Sequence, residues 1–280
     1  MMFSNAFSAP EHTAFRWNGG ACAALMVHGF PGSPAEMRPL AQVLHQAGWT
    51  VEGLLLPGFG PDIETLPDRK YSDWLNAVQT ALSQLNREYT QVLLIGHSMG
   101  GAVALQAAST GGAAGLVLIS PFWKLDSPLW TFLPVIKIAF PTFPVFKLIP
   151  LDFKDEETRK GIARFLPDAN LDDPSVQRQL REFRLPIAML DQIRLAGAKS
   201  YGAAPTVDIP TLIIQGREDE LVRPSLTHQL AERIPGLHSI VEVDGSHDLL
   251  HPGRSAWPHV CQVVLEFAAQ ILNWNRHQPR

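Results

Sequence analysis

The residues whose types and spacing most clearly suggest chemistry are Gly96-His97-Ser98-Met99-Gly100. This pentapeptide has the pattern G-x-S-x-G, follows the apolar run 92–95 and precedes a helix-compatible run at 101–108. A serine hydroxyl is a weak nucleophile unless it is held exposed beside a base. A sharp turn between a strand and a helix holds it there, and glycines let neighbouring backbone pass where a Cβ would clash. The context therefore predicts that Ser98 is a nucleophile rather than part of an ordinary small-residue turn.

A serine nucleophile needs a histidine base and a carboxylate that orients the base, and with this turn the expected chain order is serine, acid, histidine. The acid is expected after a late strand, and several acids follow the apolar run 211–215. We predict Asp219, because it lies in the loop between this run and the helix start at Pro224. Its neighbours Glu218 and Glu220 are predicted to be solvated, which is usual for such side chains.

The base is expected after the last strand, where an imidazole can reach over the edge of the sheet. His247 lies in the loop after the run 239–243 and is the predicted base, while His251, one helical turn later, is the alternative. The side chain of His97 is predicted to point away from the reacting centre. The histidines show no convincing metal-ligand spacing, and we predict no metal site.

Two backbone N–H groups are expected to hold the oxyanion that forms when a serine attacks a carbonyl. One belongs to the residue after the nucleophile, Met99. The other is expected in the loop after an early strand, where the run 25–27 leads into His28-Gly29-Phe30-Pro31-Gly32-Ser33, and we predict the N–H of Phe30. This loop alone is equally consistent with a simple glycine-rich turn. Its occurrence together with the elbow and with an ordered acid and histidine favours the oxyanion role.

Apolar runs alternate with segments of helical periodicity, which predicts an α/β fold with a mainly parallel central sheet and helices on both faces. The predicted strands are 21–27, 50–56, 91–95, 116–120, 211–215 and 239–243. An additional antiparallel edge strand at 15–17 is predicted to join the sheet through a hairpin at Asn18-Gly19.

Two helices carry local signals at their beginnings. Ser33 is the predicted N-cap of the first, with Pro34 at the first helical position, Glu36 completing a capping box and Gly48 ending the helix. Ser72 is the predicted cap of the next helix, whose apolar stripe begins at Trp74 and is expected to face the core.

The alternation of strands and helices stops at Pro121 and resumes at Thr211. The intervening segment is rich in proline, shows no clear strand and contains helical stretches at 175–185 and 187–195. We predict a core of residues 1–120 and 206–280 with an inserted, mostly helical cap at 121–205. The cap is rich in aromatic residues. Three roles are open for them: they could line an acyl pocket, face lipid or form the core of the cap. Three of them are the predicted pocket residues: Trp123, Trp130 and Phe132.

Composition limits the classes of partner. The chain has 280 residues and a formal net charge of −4, which argues against nucleic acid as the main partner. Its two cysteines lie far apart in apolar stretches and are predicted to be buried free thiols. Neither a signal peptide nor a long uninterrupted apolar span is recognisable, so a cytoplasmic protein is expected.

Together these motifs resemble the α/β-hydrolase superfamily, and within it the bacterial carboxylesterases and monoacylglycerol lipases. The resemblance spans most of 20–120 and 206–275, and the motifs from His28 to Val51 are specific to this subgroup. It implies a Ser98–His247–Asp219 triad, oxyanion donors at Phe30 and Met99, no cofactor, and a cap that forms the acyl pocket. The chain departs from the subgroup at Phe59, where relatives usually carry a histidine, and in its longer cap.

The resemblance implies hydrolysis of a small-molecule ester, with an apolar acyl chain favoured by the hydrophobic cap. Stable membrane insertion is not expected, whereas contact of the cap with lipid is compatible with its aromatic content. Hydrolysis of thioesters, C–C bond hydrolysis of β-diketones and perhydrolysis use the same machinery and stay open. Relatives that dehalogenate haloalkanes or open epoxides carry an aspartate at the position of Ser98 and are excluded. A binding protein on a hydrolase scaffold is the non-enzymatic alternative; such proteins usually lack a member of the triad.

Overall fold

A computed structural model of the protein describes residues 6–144, 151–163 and 166–274, without the side chains of Glu157 and Trp274. Seven strands within these residues form one sheet in the order β1-β3-β2-β4-β5-β8-β9. The strands of this sheet are β1 (Phe15–Trp17), β2 (Cys22–Val27), β3 (Thr50–Leu54), β4 (Gln91–His97), β5 (Gly115–Ile119), β8 (Thr211–Gly216) and β9 (Leu237–Val243). All neighbouring strands are parallel except β1, which runs antiparallel to β3.

Helices cover both faces of this sheet. They are α1 (Pro34–Gln46), α2 (Tyr71–Glu88), α3 (Met99–Ala108), α4 (Pro128–Ala139), α5 (Glu156–Ala163), α6 (Pro174–Glu182), α7 (Ile187–Ala203), α8 (Pro224–Ala231) and α9 (Trp257–Trp274). Short 3₁₀ segments lie at Pro10–His12, Gly60–Asp68 and Ala204–Thr206. The mainly parallel sheet with helices on both faces confirms the predicted α/β class.

The strand sequences explain why the sheet is central. Alternate residues of β2 point to opposite sides, so that Leu25 joins a core built with α2, α3, α7 and α8, whereas Met26 joins a second core built with α1 and α9. Strands that are apolar on both sides are expected for a parallel sheet buried between helices. All six strands predicted for the parallel part of the sheet are present, with small differences at their ends.

The predicted antiparallel edge strand at 15–17 is present as β1, but some local details were predicted wrongly. The edge strand β1 pairs with β3, with Phe15 opposite Gly53, and not with β2 through a hairpin at Asn18-Gly19. The helix α2 begins at Tyr71 with Lys70 as its N-cap, where the Asp73 carboxylate accepts the Lys70 N–H, so Ser72 is not the cap. An acid at the third helical position satisfies a free N–H at the start of the helix equally well.

The prediction for the start of α1 is correct in part. Ser33 caps the helix by accepting a hydrogen bond from the Ala35 N–H, and Gly48 follows the helix end with φ of +91°. Glu36 does not complete a capping box: its carboxylate accepts the Gly29 N–H instead. The partner of this side chain is therefore the loop before the helix.

Residues 121–205 lie between β5 and β8 and contain α4, α5, α6 and α7. The expectation of no strand here was wrong in detail, because β6 (Thr142–Phe143) and β7 (Leu185–Pro186) form a two-residue antiparallel pair. Within the segment, α7 packs against α3 of the core and α4 packs against α7. Of the described helices, none combines the length and apolar character that crossing a membrane requires.

The two cysteines, Cys22 and Cys261, are free, as predicted, but half-buried rather than buried. Burial raises the pKa of the Cys261 thiol to about 11.

Candidate active site

Ser98 occupies the sharp turn between β4 and α3. Its backbone is in an unusual conformation for a residue with a side chain, with φ of 52° and ψ of −120°. The flanking glycines make this turn possible: a Cβ on Gly96 would lie 2.7 Å from the Gly101 N, and one on Gly100 would overlap the carbonyl oxygens of Val27 and His28. Such backbone strain is typically found where a functional group must be held in one place.

The structure brings the predicted serine, histidine and acid together. His247 Nε2 lies 3.0 Å from Ser98 Oγ, and His247 Nδ1 lies 2.7 Å from Asp219 Oδ2. Ser98 and Asp219 are buried, whereas the side chain of His247 is 23% exposed. The three side chains come from loops that follow β4, β8 and β9. The carboxyl ends of these parallel strands lie on the same side of the sheet, and only β5 stands between β4 and β8.

Asp219 is held by other groups in addition to His247. Its Oδ1 accepts the N–H groups of Leu221 and Val222 at 3.0 and 2.8 Å. Gln215, at the end of β8, binds the carbonyl oxygens of Gly216 and Val222 and so closes the same loop. Burial acts to raise the pKa of Asp219, but the hydrogen bond and charge of His247, with the Val222 amide, outweigh it and hold the pKa below its usual value. The carboxylate is therefore ionised beside the imidazole.

The alternative histidine lies elsewhere. His251 is exposed, and its Nδ1 accepts the Gly253 N–H at 3.0 Å within its own loop. The competing acids Glu218 and Glu220 are also exposed, as predicted.

The loop after β2 lies directly against the serine. A Cβ on Gly29 would stand 3.1 Å from Ser98 Cβ, so that the next residue, Phe30, starts beside the nucleophile. Met99 is the first residue of α3, and the first N–H groups of a helix have no partner inside it. Both predicted oxyanion donors thus belong to backbone segments that flank Ser98.

His28 shapes this loop from beneath. It is buried, its Nδ1 lies 2.9 Å from the Gly29 carbonyl oxygen, and its Nε2 accepts the Leu56 N–H at 3.1 Å. One acceptor and one donor satisfy a neutral imidazole, and burial lowers the pKa of His28. Phe59, which stands where a histidine was expected, packs edge-on against the rings of His28 and Phe30. An aromatic residue thus supports the loop here by packing.

Two polar residues beside the site were not predicted to act there. His97 Nδ1 lies 3.2 Å from Glu36 Oε1, and His97 Nε2 lies 3.3 Å from the backbone oxygen of His247. The rings of His97 and His247 are 5.1 Å apart. The side chain of His97 is therefore directed onto the loop that carries the predicted base.

The predicted pocket residues have different environments. Trp123 is buried, donates its indole N–H to the Leu226 carbonyl at 2.7 Å and stacks on Tyr201. Trp130 is buried with its ring edge-on to Phe122, whose N–H binds the carbonyl oxygen of Ser98 at 3.1 Å. Phe132 is 60% exposed on α4. Of the three, Trp130 is connected to Ser98 through a packed neighbour.

Comparison with known proteins identifies the family to which the chain belongs. A family model described as serine aminopeptidase, S33, matches residues 22–251. The chain belongs to this family. A carboxylesterase of Bacillus subtilis (strain 168) is 32% identical over 210 residues, which are 74% of this chain and 76% of that protein. A thermostable monoacylglycerol lipase of Bacillus sp. (strain H-257) is 35% identical over 94 residues, 34% of this chain, and the match spans only 38% of that lipase.

Solved structures of the same fold extend over nearly the whole chain. A metagenome-derived lipolytic enzyme matches with a TM-score of 0.72 and 24% identity, covering 93% of this chain and 98% of that one. At this identity the likeness concerns the fold. The family match and the structural likeness thus agree with the mainly parallel sheet and its covering helices.

Proposed function

We propose that the protein is a serine hydrolase that cleaves carboxylic esters through an acyl-enzyme on Ser98. The observation that carries the proposal is the hydrogen-bonded series of Ser98 Oγ, His247 and Asp219, at 3.0 and 2.7 Å. A serine within reach of an imidazole that a buried carboxylate orients is the arrangement needed for nucleophilic acyl transfer. Membership of the serine aminopeptidase S33 family and similarity to a carboxylesterase support the same chemistry.

Acylation begins with transfer of the Ser98 hydroxyl proton to His247 Nε2. The Ser98 oxygen forms a bond to the ester carbonyl carbon, and the carbonyl electrons move to its oxygen. The N–H groups of Phe30 and Met99 stabilise that oxyanion, and each such donor is worth on the order of 10²- to 10³-fold in rate. The protonated His247 then gives its proton to the alkoxide as the C–O bond breaks, and the alcohol leaves.

Deacylation repeats these steps with water as the nucleophile. His247 takes a proton from water, the hydroxide oxygen attacks the acyl carbon, and the bond to Ser98 Oγ breaks as that oxygen regains the proton. Asp219 remains ionised, fixes the tautomer of His247 and stabilises its cationic form. All steps use groups of this chain, and no cofactor is invoked.

For the substrate we propose a small ester with an apolar acyl chain, held under a cap formed by residues 121–205. The burial of Trp130 against Phe122, whose amide binds the Ser98 carbonyl, supports an apolar wall beside the nucleophile. The similar monoacylglycerol lipase and carboxylesterase support an ester of this kind. The indole N–H of Trp123 binds the Leu226 carbonyl and its ring stacks on Tyr201, which favours a role in the core of the cap.

We further propose that α4 contacts lipid without inserting stably. Its exposed apolar residues recur every third position, at Leu129, Phe132, Val135 and Ile138, with exposures of 60–80%. Apolar surface of this extent on one helix is typical of a binding face. We also propose a cytoplasmic location, where the two free thiols would stay reduced.

The test of the proposal is hydrolysis of short- and medium-chain p-nitrophenyl esters by purified protein. We expect wild-type protein to release p-nitrophenol, Ser98→Ala and His247→Ala to abolish release, and His251→Ala to retain it. Activity that survives Ser98→Ala contradicts the assignment of the nucleophile. Loss in His251→Ala with retention in His247→Ala assigns the base to His251 instead.

The bond that is cleaved is tested with the same preparation on matched esters, thioesters and β-diketones. The proposal expects the highest kcat/KM on the esters. A higher kcat/KM on thioesters or β-diketones would contradict the proposed ester substrate but not the proposed triad.

A further inference from the structure

His97 and Glu36 form a polar contact beneath the candidate site. Only 8% of His97 is exposed, and Glu36 is half-buried at the first turn of α1. His97 Nδ1 lies 3.2 Å from Glu36 Oε1, and His97 Nε2 lies 3.3 Å from the carbonyl oxygen of His247. The same Glu36 oxygen accepts the N–H of Gly29. A continuous series of contacts thus runs from the loop before α1 to the loop after β9.

The partners of His97 indicate its protonation. A carboxylate and a carbonyl oxygen both accept hydrogen bonds, and an imidazole has two N–H donors only as a cation. His28 differs, because its two nitrogens face one acceptor and one donor and a neutral ring satisfies both. Burial acts to lower the pKa of His97, but the charge and hydrogen bond of Glu36, the His247 carbonyl and the charge of Asp248 outweigh it, and the pKa is raised.

Glu36 balances the charge of this cation. Burial acts to raise the pKa of Glu36, yet the charge and hydrogen bond of His97 outweigh it and lower the pKa. The loop is shaped around the carboxylate, since a Cβ on Gly32 would overlap Glu36 Oε2. Because the ring of His97 is 5.1 Å from that of His247, an unbalanced charge there would oppose the imidazolium that forms during acylation.

We propose that Glu36 and His97 are positioning residues, a second carboxylate–histidine pair that fixes His247 and the loop of Phe30 relative to each other. One end holds the Gly29 amide next to Phe30, and the other holds the backbone of His247. Gly29 and His247 are 218 residues apart in sequence. The proposal rests on the proposed function, because it concerns the geometry of the same nucleophile, base and oxyanion donors.

The test compares single and double replacements of the pair. His97→Leu and Glu36→Leu each remove the connection, and we expect kcat to fall about 10- to 100-fold with KM changed less than about twofold, as for slight misplacement of reacting groups. The double variant is expected to be no worse than either single variant, because residues that act as a unit are not additive. Glu36→Gln keeps an oxygen that can accept the Gly29 N–H but removes the charge opposite His97, so we expect its kcat to lie between wild type and Glu36→Leu, about 3- to 10-fold below wild type.

The matched control is His228→Gln, which alters an exposed histidine paired with Glu242 at 2.8 Å on another part of the surface. It is expected to have the wild-type kcat, and thermal unfolding identifies variants that fail to fold. Additive losses in the double variant, a change in KM alone, or wild-type kcat in His97→Leu would overturn the proposal.

The rate of Ser98 labelling by a fluorophosphonate separates the two proposals, because it requires an activated serine and no particular ester. No labelling of wild-type protein contradicts the proposed function. Fast labelling of wild type, with an equal rate in folded His97→Leu, contradicts the positioning role alone. We expect wild type to be labelled about 10- to 100-fold faster than His97→Leu, the same ratio as for kcat.

Discussion

At the scale of single residues, the reactivity of Ser98 depends on how firmly the imidazole beside it is held. His247 is oriented by Asp219, and Asp219 is fixed by the N–H groups of Leu221 and Val222. A change at the acid therefore acts through the tautomer and direction of the base, although the acid does not touch the serine.

Asp219→Asn tests this dependence. An amide in place of the carboxylate favours the wrong tautomer of His247, so we expect kcat on p-nitrophenyl butyrate to fall on the order of 10⁴-fold with the fold intact. The controls are Glu218→Gln and Glu220→Gln, which alter exposed neighbours and should keep the wild-type rate. A large loss in either control, with a small one in Asp219→Asn, would assign the acid differently.

Chain order was sufficient to predict that Ser98, Asp219 and His247 would meet, because the carboxyl ends of the strands that precede them lie at one edge of the sheet. The partners of Glu36 could not be predicted in this way. A local rule assigns its carboxylate to the N-cap three residues earlier, whereas its observed partners are Gly29 in the preceding loop and His97, 61 residues away in sequence. Two acceptors around one histidine become visible only in the folded chain.

At the scale of elements, the turn from β4 to α3 depends on close backbone contacts. In Gly100→Ala the added methyl meets the carbonyl oxygens of Val27 and His28, so we expect a loss of about 1–3 kcal/mol in unfolding free energy, together with loss of activity. The control is Gly202→Ala in α7, where a Cβ meets nothing within 4 Å. There we expect a gain of about 0.5–1 kcal/mol. Urea unfolding measures both, and equal stabilities of the two variants would contradict this explanation of the turn.

Buried Asp191 connects two helices of the inserted segment. This residue of α7 binds Lys137 of α4 and Arg194 of its own helix. Burial acts to raise the pKa of Asp191, but the bonds from Lys137 and Arg194 outweigh it and lower the pKa. A carboxylate with a lowered native pKa stabilises the fold above its unfolded pKa, and this contribution is lost as pH falls through the native value.

Asp191→Asn is therefore expected to lower the unfolding free energy at pH 7 by about 2 kcal/mol, less than for a fully buried pair because Lys137 is partly exposed. The difference in unfolding free energy between the variant and wild type should become smaller below about pH 4. Asp172→Asn, which alters an exposed pair with Arg159, should leave stability unchanged. Urea unfolding at a series of pH values provides the measurement, and a difference that grows toward low pH would contradict the prediction.

Element types were predictable where the hydrophobic pattern was strong, as in the six parallel strands. The pairing of β1 was not, because Asn18-Gly19 favours a hairpin locally while Phe15 lies opposite Gly53 and its ring fills the space that a side chain there would occupy. The short pair β6–β7 contains only two residues in each strand and leaves no periodic signal.

At the scale of the whole molecule, the described residues pack into two large cores on the faces of the sheet and a third, smaller cluster. The third cluster joins Ala6 and Phe7 to residues of the inserted segment, among them Phe153 and Leu180. The beginning of the described chain is thus packed against the proposed cap. On the outside of the segment, α4 leaves an apolar face uncovered by described residues.

Replacement of this outer face tests contact with lipid. Leu129→Ser with Ile138→Ser removes two apolar side chains that are 69% and 80% exposed, so we expect weaker cosedimentation with phosphatidylcholine vesicles and an unchanged kcat on a soluble ester. Thr131→Ala, at an exposed polar position of the same helix, should bind vesicles as wild type does. Absence of binding by wild-type protein, or equal binding by the double variant, would contradict the lipid contact.

The central claim is that Ser98 is the activated nucleophile of this molecule. The most direct measurement is the mass of intact protein after exposure to a fluorophosphonate, followed by peptide mapping of the modified residue. We predict one adduct per chain, located on Ser98, with none in Ser98→Ala or in heat-unfolded protein. An adduct on another residue would contradict the claim. So would an active esterase whose Ser98 stays unmodified after exposure to the fluorophosphonate.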